Sequence, residues 1–291
     1  MKFLISIIIL FQTSFTQNVY DVLRPFFGFN STQIISESIG SASVGAGYLS
    51  TGLGSNPANY ALSKHAVIHT NYSSNQFNSN SSFISKSGFN GIDLVIPIDV
   101  YQGSLSISLG GHRHIDFLAA SNSNSTASSE EGGLSSYHIG AAVEFSKGVF
   151  IGGDIKFLSG QDKMLQTSSS NILLFNPHYE GTEISIGMLH TFSRNIQYGI
   201  SIDLPSSLNV RDKFTYSDLI ESDSSFSDIW YYNVKKPTTF HVGASILLKN
   251  INLFYEFEFT DWHHLKFSSS TIYQGDIPAS IFINEEIREN L

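Results

Sequence analysis

From residue 65 onward, apolar and polar positions alternate with a period of two, which predicts β-strands rather than helices. The clearest run spans 104–117. Leu105, Ile107, Leu109, Gly111, Ile115 and Phe117 share one side, with Arg113 as the exception. Ser104, Ser106, Ser108, Gly110, His112, His114 and Asp116 share the other. A strand that crosses a bilayer needs about 9–11 residues at a steep tilt, whereas strands of globular proteins peak at about 5–6. This run is long enough to cross. The pattern returns at 136–145, where Tyr137, Ile139, Ala141, Val143 and Phe145 oppose Ser136, His138, Gly140 and Glu144. It recurs at 149–157, 184–192, 198–204, 240–248 and 251–259. With two less regular segments, 65–74 and 82–98, nine strands are predicted. A tenth, over 271–284, has a poor pattern and is interrupted by Pro278.

The connections are expected to sort by length. Short turns fall at 99–103, 146–148, 193–195 and 249–250, and long polar loops at 119–135, 159–181 and 205–237. Strict alternation puts the long loops on one side, as in outer-membrane barrels with short periplasmic turns and longer external loops. The fold class expected is therefore all-β, an antiparallel transmembrane β-barrel of about nine or ten strands over 65–291. Bacterial single-chain barrels have even strand numbers, and an open sheet edge cannot sit in lipid. The chain ends in Glu285-Glu286-Ile287-Arg288-Glu289-Asn290-Leu291 rather than in an amphipathic strand, so a C-terminally incomplete sequence is expected.

Composition fits this picture. Charged residues are 14% of the chain, against roughly 25% in soluble globular proteins. A membrane helix would need about 18 or more uninterrupted apolar residues; the longest run, 3–11, is broken by Ser6. That run follows Lys2 and precedes Ser14-Phe15-Thr16, so residues 1–16 are expected to be a signal peptide. The absence of cysteine removes disulfides, thiolate metal sites and a cysteine nucleophile. A net charge of -9 without any Lys/Arg cluster argues against a nucleic-acid partner.

Residues 17–64 do not alternate. Gly40, Gly45, Gly47, Gly52 and Gly54 lie among Ser and Ala, followed by Asn56-Pro57-Ala58. Small residues allow close backbone packing, and the Gly-x-Gly pairs lack the strand–loop–helix context of a phosphate loop. The expectation is a plug folded into the barrel.

Three places resemble the outer-membrane transport family of long-chain fatty acid and aromatic hydrocarbon transporters (FadL-like). The first is the small-residue stretch 36–47 leading into Asn56-Pro57-Ala58, similar to that family's plug and its Asn-Pro-Ala signature. The second is Lys236-Pro237-Thr238-Thr239-Phe240-His241-Val242-Gly243, and the third is Glu256-Phe257-Glu258-Phe259-Thr260-Asp261-Trp262. The resemblance covers roughly residues 30–262. It implies a fourteen-stranded barrel with further strands after the Thr-Asp-Trp segment. The plug departs from the family's pattern in lacking an acidic pair just before Asn-Pro-Ala.

Candidate chemistry is sparse. His112, His114 and Asp116 alternate on one strand and have the spacing for a metal, but a polar lumen wall near a strand end is the favoured reading. His263 and His264 are adjacent and point opposite ways in an extended chain. No Gly-x-Ser-x-Gly elbow occurs, so no enzyme activity is expected, and no metal or cofactor. Most lumen-facing positions are polar or glycine, yet Phe150, Leu158, Leu189 and Phe254 interrupt them. These four either line a pocket for a hydrophobic ligand or pack against the plug. The function expected is passive transport of hydrophobic small molecules, with long-chain fatty acids implied by the resemblance, across the outer membrane of a Gram-negative-type bacterium. The partners would be membrane lipid and that ligand. The alternatives are a scaffold barrel in secretion or surface assembly that binds a protein partner, and a general porin.

Overall fold

The alternating segments pair into an antiparallel sheet in a computed structural model that describes residues 29–30, 44–45, 56–79, 82–122, 126–219, 225–249 and 251–269. The strands are β1 (Phe29–Asn30), β2 (Val67–Ser79), β3 (Ser82–Ile98), β4 (Leu105–Asn122), β5 (Thr126–Ser146), β6 (Val149–Ser168) and β7 (Asn171–Ser193). They continue with β8 (Ile196–Asp203), β9 (Ser206–Asp218), β10 (Ser225–Lys236), β11 (Thr239–Leu247), β12 (Asn252–Thr260) and β13 (Lys266–Ser269). The main path runs β12-β11-β8-β7-β6-β5-β4-β3-β2. Among the described residues, β2 and β12 end this path and are not paired with each other. The expected signal peptide and the segment 271–284 lie outside the described residues, as does most of 17–55.

Three pairs of strands are single passes broken at one level. β7 pairs with β9 from Asn171↔Asp218 to Thr182↔Ser207, then with β8 from Ser185↔Asp203 onward. The break falls at Leu204-Pro205. β10 and β11 are likewise separated by Pro237-Thr238, and β12 and β13 by a 3₁₀ turn, Trp262–His264. Thr239 pairs with both Asp203 and Thr260, so the breaks line up across the sheet. Proline cannot donate to a ladder, and Asp261 caps the third break by accepting from the His263 amide at 3.3 Å.

Among the described residues, most of the segments 119–135, 159–181 and 205–237 is strand rather than loop. They are the far ends of β4–β5, of β6–β7 and of β9–β10, which makes β7 alone 23 residues long. The reason is a reversal of polarity along the strand. Near the tight turns, where Gly103 and Gly148 take φ of +81° and +77°, the outward side chains are greasy. Ile151, Ile155 and Phe157 on β6 are exposed, as are Tyr137, Ile139 and Val143 on β5. The same holds for Ile184, Ile186 and Met188 on β7, Phe240 and Val242 on β11, and Tyr255 and Phe257 on β12. Farther along, the same outward face carries Ser159, Gln161 and Lys163 on β6, then Glu180 and His178 on β7, then Asn209, Arg211 and Lys213 on β9.

The inner face reverses in step. In the greasy-outside half it carries Ser136, His138, Asp154, Glu183, Ser185, Gln197, Ser201 and His241, all buried. In the polar-outside half it carries a packed cluster of Ile115, Phe117, Leu134, Leu158, Tyr179, Leu208, Val210 and Val234. A soluble sheet puts apolar side chains inside throughout. Apolar outside with polar inside is the arrangement of a sheet that faces lipid.

One expected face changes within a strand. The register slips between Arg113 and Ile115, a bulge that places an extra residue on β4 and rotates the residues after it. Ile115 and Phe117 therefore turn inward and are buried, unlike Ile107 and Leu109 on the outer face. His112 stays with the inner face of the first half; the side chains of His114 and Asp116 lie outside the described ones.

The reversal makes charge tolerance position-dependent. Ile155→Arg is predicted to lower stability in lipid vesicles by about 2–4 kcal/mol, whereas Gln161→Arg on the same face changes it by less than about 0.5 kcal/mol. Urea titration of the reconstituted protein, followed by tryptophan fluorescence, measures both; equal costs at the two positions would contradict the assignment of the faces.

Candidate functional site

Along the inside of the sheet, three layers succeed one another: a plug seat, a charged layer and the apolar cluster. The plug seat is built around Asn56. Its backbone is extended, as the residue before a proline must be, and it caps a 3₁₀ turn, Pro57–Leu62. Its side chain is fully buried and makes three bonds: Oδ1 accepts from the Ala58 amide, and Nδ2 donates to the carbonyls of Val44 and Met188, each at 3.0 Å. Two further bonds tie the preceding segment to the wall. The Val44 amide donates to Glu256 Oε2 at 3.0 Å, and Ser245 Oγ donates to the Gly45 carbonyl at 2.8 Å.

The wall under the plug is floored with glycine. Gly140, Gly152, Gly187, Gly199 and Gly243 come from β5, β6, β7, β8 and β11, and Gly152↔Gly187 and Gly199↔Gly243 are direct cross-strand pairs. A Cβ at Gly152 would lie 2.6 Å from the Pro57 carbonyl carbon, and one at Gly140 would lie 2.8 Å from the Tyr60 ring. At Gly187 and Gly199 it would run into Asn56 Oδ1 and the Val44 carbonyl. The plug backbone thus rests directly on the barrel backbone, which only glycine permits at these positions. Sequence reading missed this row, although its signal was present as a glycine at an inward position of each successive strand.

Phe150 and Leu189 belong here. They are buried and pack with Ala58, Tyr60, Ala61, Val95 and Ala142, so the plug itself covers them. Leu158 sits elsewhere, in the apolar cluster. Phe254 is half-buried on β12, opposite Ser245, and joins neither group. The four apolar lumen positions are therefore not one pocket lining. Asn56, Pro57 and Ala58 lie together, all buried, at the start of the 3₁₀ turn.

Between plug and cluster lies the charged layer. Lys156 Nζ meets Glu183 Oε1 at 3.3 Å and Ser185 Oγ at 3.2 Å, and Lys236 Nζ approaches Glu183 Oε2 at 3.6 Å. Ser185 Oγ donates to Asp203 Oδ1 at 2.6 Å. His241 bridges Asp203 Oδ2 at 3.2 Å and Glu256 Oε1 at 3.5 Å through its two ring nitrogens. From the plug side, the Tyr60 hydroxyl donates to Asp154 Oδ2 at 3.2 Å. Burying such charges is costly unless each is paired, and here they form a chain across β6, β7, β8, β11 and β12. Their side chains alternate with outward isoleucines, so the sequence showed them as the polar half of each strand but not as one network.

Neither a protein-family model nor a curated protein matches this sequence. Among solved structures it is similar to the CymD monoaromatic hydrocarbon channel, with a TM-score of 0.55 and 9% identity. The match covers 86% of this chain and 73% of that one. At this identity the likeness concerns the fold: a nearly all-β antiparallel sheet similar to that of a barrel channel.

Asn56→Ala is predicted to loosen the plug. It strands the Val44 carbonyl and the Ala58 amide, at about 1–3 kcal/mol, and the segment around residues 44–64 should become cleavable by protease while the strands stay protected. Gly187→Val should do the same by steric displacement. A plug that is equally resistant in both variants would contradict the seat described.

Proposed function

We propose that this chain forms an outer-membrane barrel, in a Gram-negative-type cell, that passively admits hydrophobic small molecules, with long-chain fatty acids as the reference substrate. The observation that carries this reading is the inward apolar cluster around Leu158, Tyr179, Leu208 and Val210. A water-filled pore has polar walls, whereas a site for hydrophobic compounds is lined by apolar side chains with a few polar groups beside them. Here the charged layer at Lys156 and Glu183 supplies those groups. A carboxylate head could meet Lys156 or Lys236 while its tail lies against the cluster. The fold likeness to a hydrocarbon channel agrees with this. In this reading residues 1–16 direct export, residues 17–64 plug the lumen, and residues 65–291 supply barrel wall. Leu158 is the ligand contact; Phe150 and Leu189 hold the plug, and Phe254 lines the edge of the lumen.

One observation favours a second reading, a barrel that serves secretion or surface assembly. Side-chain hydrogen bonds at Val44, Gly45, Asn56 and Tyr60 tie the plug to the wall over a glycine floor, an anchorage suited to a fixed platform.

A fluorescent fatty-acid analogue should bind the detergent-solubilised protein, and Leu158→Asn should weaken binding about ten-fold, the equivalent of 1.4 kcal/mol. A strain lacking the gene should take up long-chain fatty acids more slowly. Unchanged uptake, together with a stable co-purifying protein, would favour the second reading; bulk passage of sugars would favour a general porin.

A further inference from the structure

We propose that Asp93, His112 and His138 bind one divalent transition-metal ion of the zinc class on the inner wall beside the plug. The site is independent of the transport reading. The three residues come from β3, β4 and β5, and their candidate ligand atoms all lie within 4.8 Å of one another. Sheet register creates the cluster. Asp93 pairs with Gly110 and Gly110 pairs with His138, so the three stand in one row across three strands, with glycine in the middle. His112 projects from the same face one pleat along β4.

Glycine at 110 is what lets the outer two meet. A Cβ there would collide with the Asp93 carboxylate and lie 2.7 Å from His138 Cε1. Across that gap His138 Nδ1 stands 3.3 Å from Asp93 Oδ1. Two ligands of a tetrahedral ion with bonds of about 2.0–2.1 Å are separated by about 3.3–3.4 Å, so this pair already spans one edge of such a site. His112 has to move closer by a side-chain rotation to complete the third corner.

The surroundings suit a cation. Asp93 is 1% exposed and His138 5%. Apart from the approach to His138, neither Asp93 oxygen has a hydrogen bond among the described residues. A carboxylate that stays ionised in that position needs a positive partner. The far nitrogens of both imidazoles are held by buried serines: His138 Nε2 lies 3.0 Å from Ser108 Oγ, and His112 Nε2 lies 2.9 Å from Ser136 Oγ. Metal-binding histidines are typically oriented in this way, the second nitrogen donating to a neighbour and the first presented to the ion. Imidazole and carboxylate together favour zinc, copper or nickel over calcium or magnesium. Three protein ligands leave a fourth position open. The ring of Tyr60 stacks on His138 with centroids 6.3 Å apart, so a bound ion would fasten three strands next to the plug.

The test uses untagged full-length protein in detergent, stripped with chelator and then titrated with Zn²⁺ and with Co²⁺. One tightly bound equivalent is expected, with the visible absorbance of four-coordinate Co²⁺. X-ray absorption of the zinc-loaded wild type should show two imidazoles in the coordination shell. Asp93→Asn and His138→Gln should each weaken binding at least ten-fold, with circular dichroism checking that strand content is kept. His264→Gln, in the exposed pair next to Asp261, should leave binding unchanged. Absence of a bound equivalent in the wild type, a shell without imidazole, or loss of binding only in His264→Gln would overturn the proposal.

Discussion

The outward face of each long strand changes its chemistry part-way along, and the inward face changes in the opposite sense. Everything else in the molecule is arranged around that constraint. Where the outside is Ile155 and Phe157, the inside must take the polar and charged side chains, because a sheet in hydrocarbon has its apolar surface turned outward. Where the outside is Gln161 and Lys163, the inside carries the apolar cluster of Leu158, Tyr179 and Leu208. Backbone pairing between β5 and β6 and between β6 and β7 continues unbroken across the change. The breaks at Pro205, Pro237 and Asp261 let the later strands re-register at one level.

The polar interior of the first half then has to be satisfied, and the plug and the charged layer share this task. Asn56 uses both ends of its amide to join plug to plug and plug to wall, and Tyr60 reaches Asp154. Lys156, Glu183, Asp203, His241 and Glu256 neutralise one another across five strands. The glycine floor is the geometric condition for this: without it, the plug would stand off the wall by the depth of a side chain and its amide bonds would be out of reach. The charged layer also separates the plug from the apolar cluster, so a hydrophobic molecule resting among Leu158 and Val210 would meet the plug only across Lys156 and Glu183.

The first half of the barrel wall was legible in the sequence because its outward isoleucines and tyrosines alternate with serine, histidine and glycine over lengths that ordinary strands do not reach. The far halves were not. Beyond Phe157 the apolar positions move to the other parity, as at Leu158 opposite Ser159, and the outward face becomes as polar as a loop. At Arg113 a bulge of a single residue inverted the faces of Ile115 and Phe117, which alternation alone cannot register. Asn56-Pro57-Ala58 stood out as a unit, but the glycines that receive it carry no hydrophobic period, and the meeting of Asp93, His112 and His138 depends on a three-strand register. Phe150, Leu158, Leu189 and Phe254 looked alike in sequence as apolar residues on a polar face; the structure sends two of them to the plug and one to the inward apolar cluster.

The reversal of the outward face is directly measurable because the chain contains no cysteine of its own. Single cysteines placed at positions 151, 153, 155, 157, 159, 161 and 163 of β6, spin-labelled in lipid vesicles, can be probed with molecular oxygen, which concentrates in hydrocarbon, and with a water-soluble nickel chelate. Oxygen-dominated collisions are expected at 151–157 and chelate-dominated collisions at 159–163, with the crossover next to Phe157. Chelate access that is uniform along the strand, or apolar positions 151 and 155 that report water, would contradict the reversal.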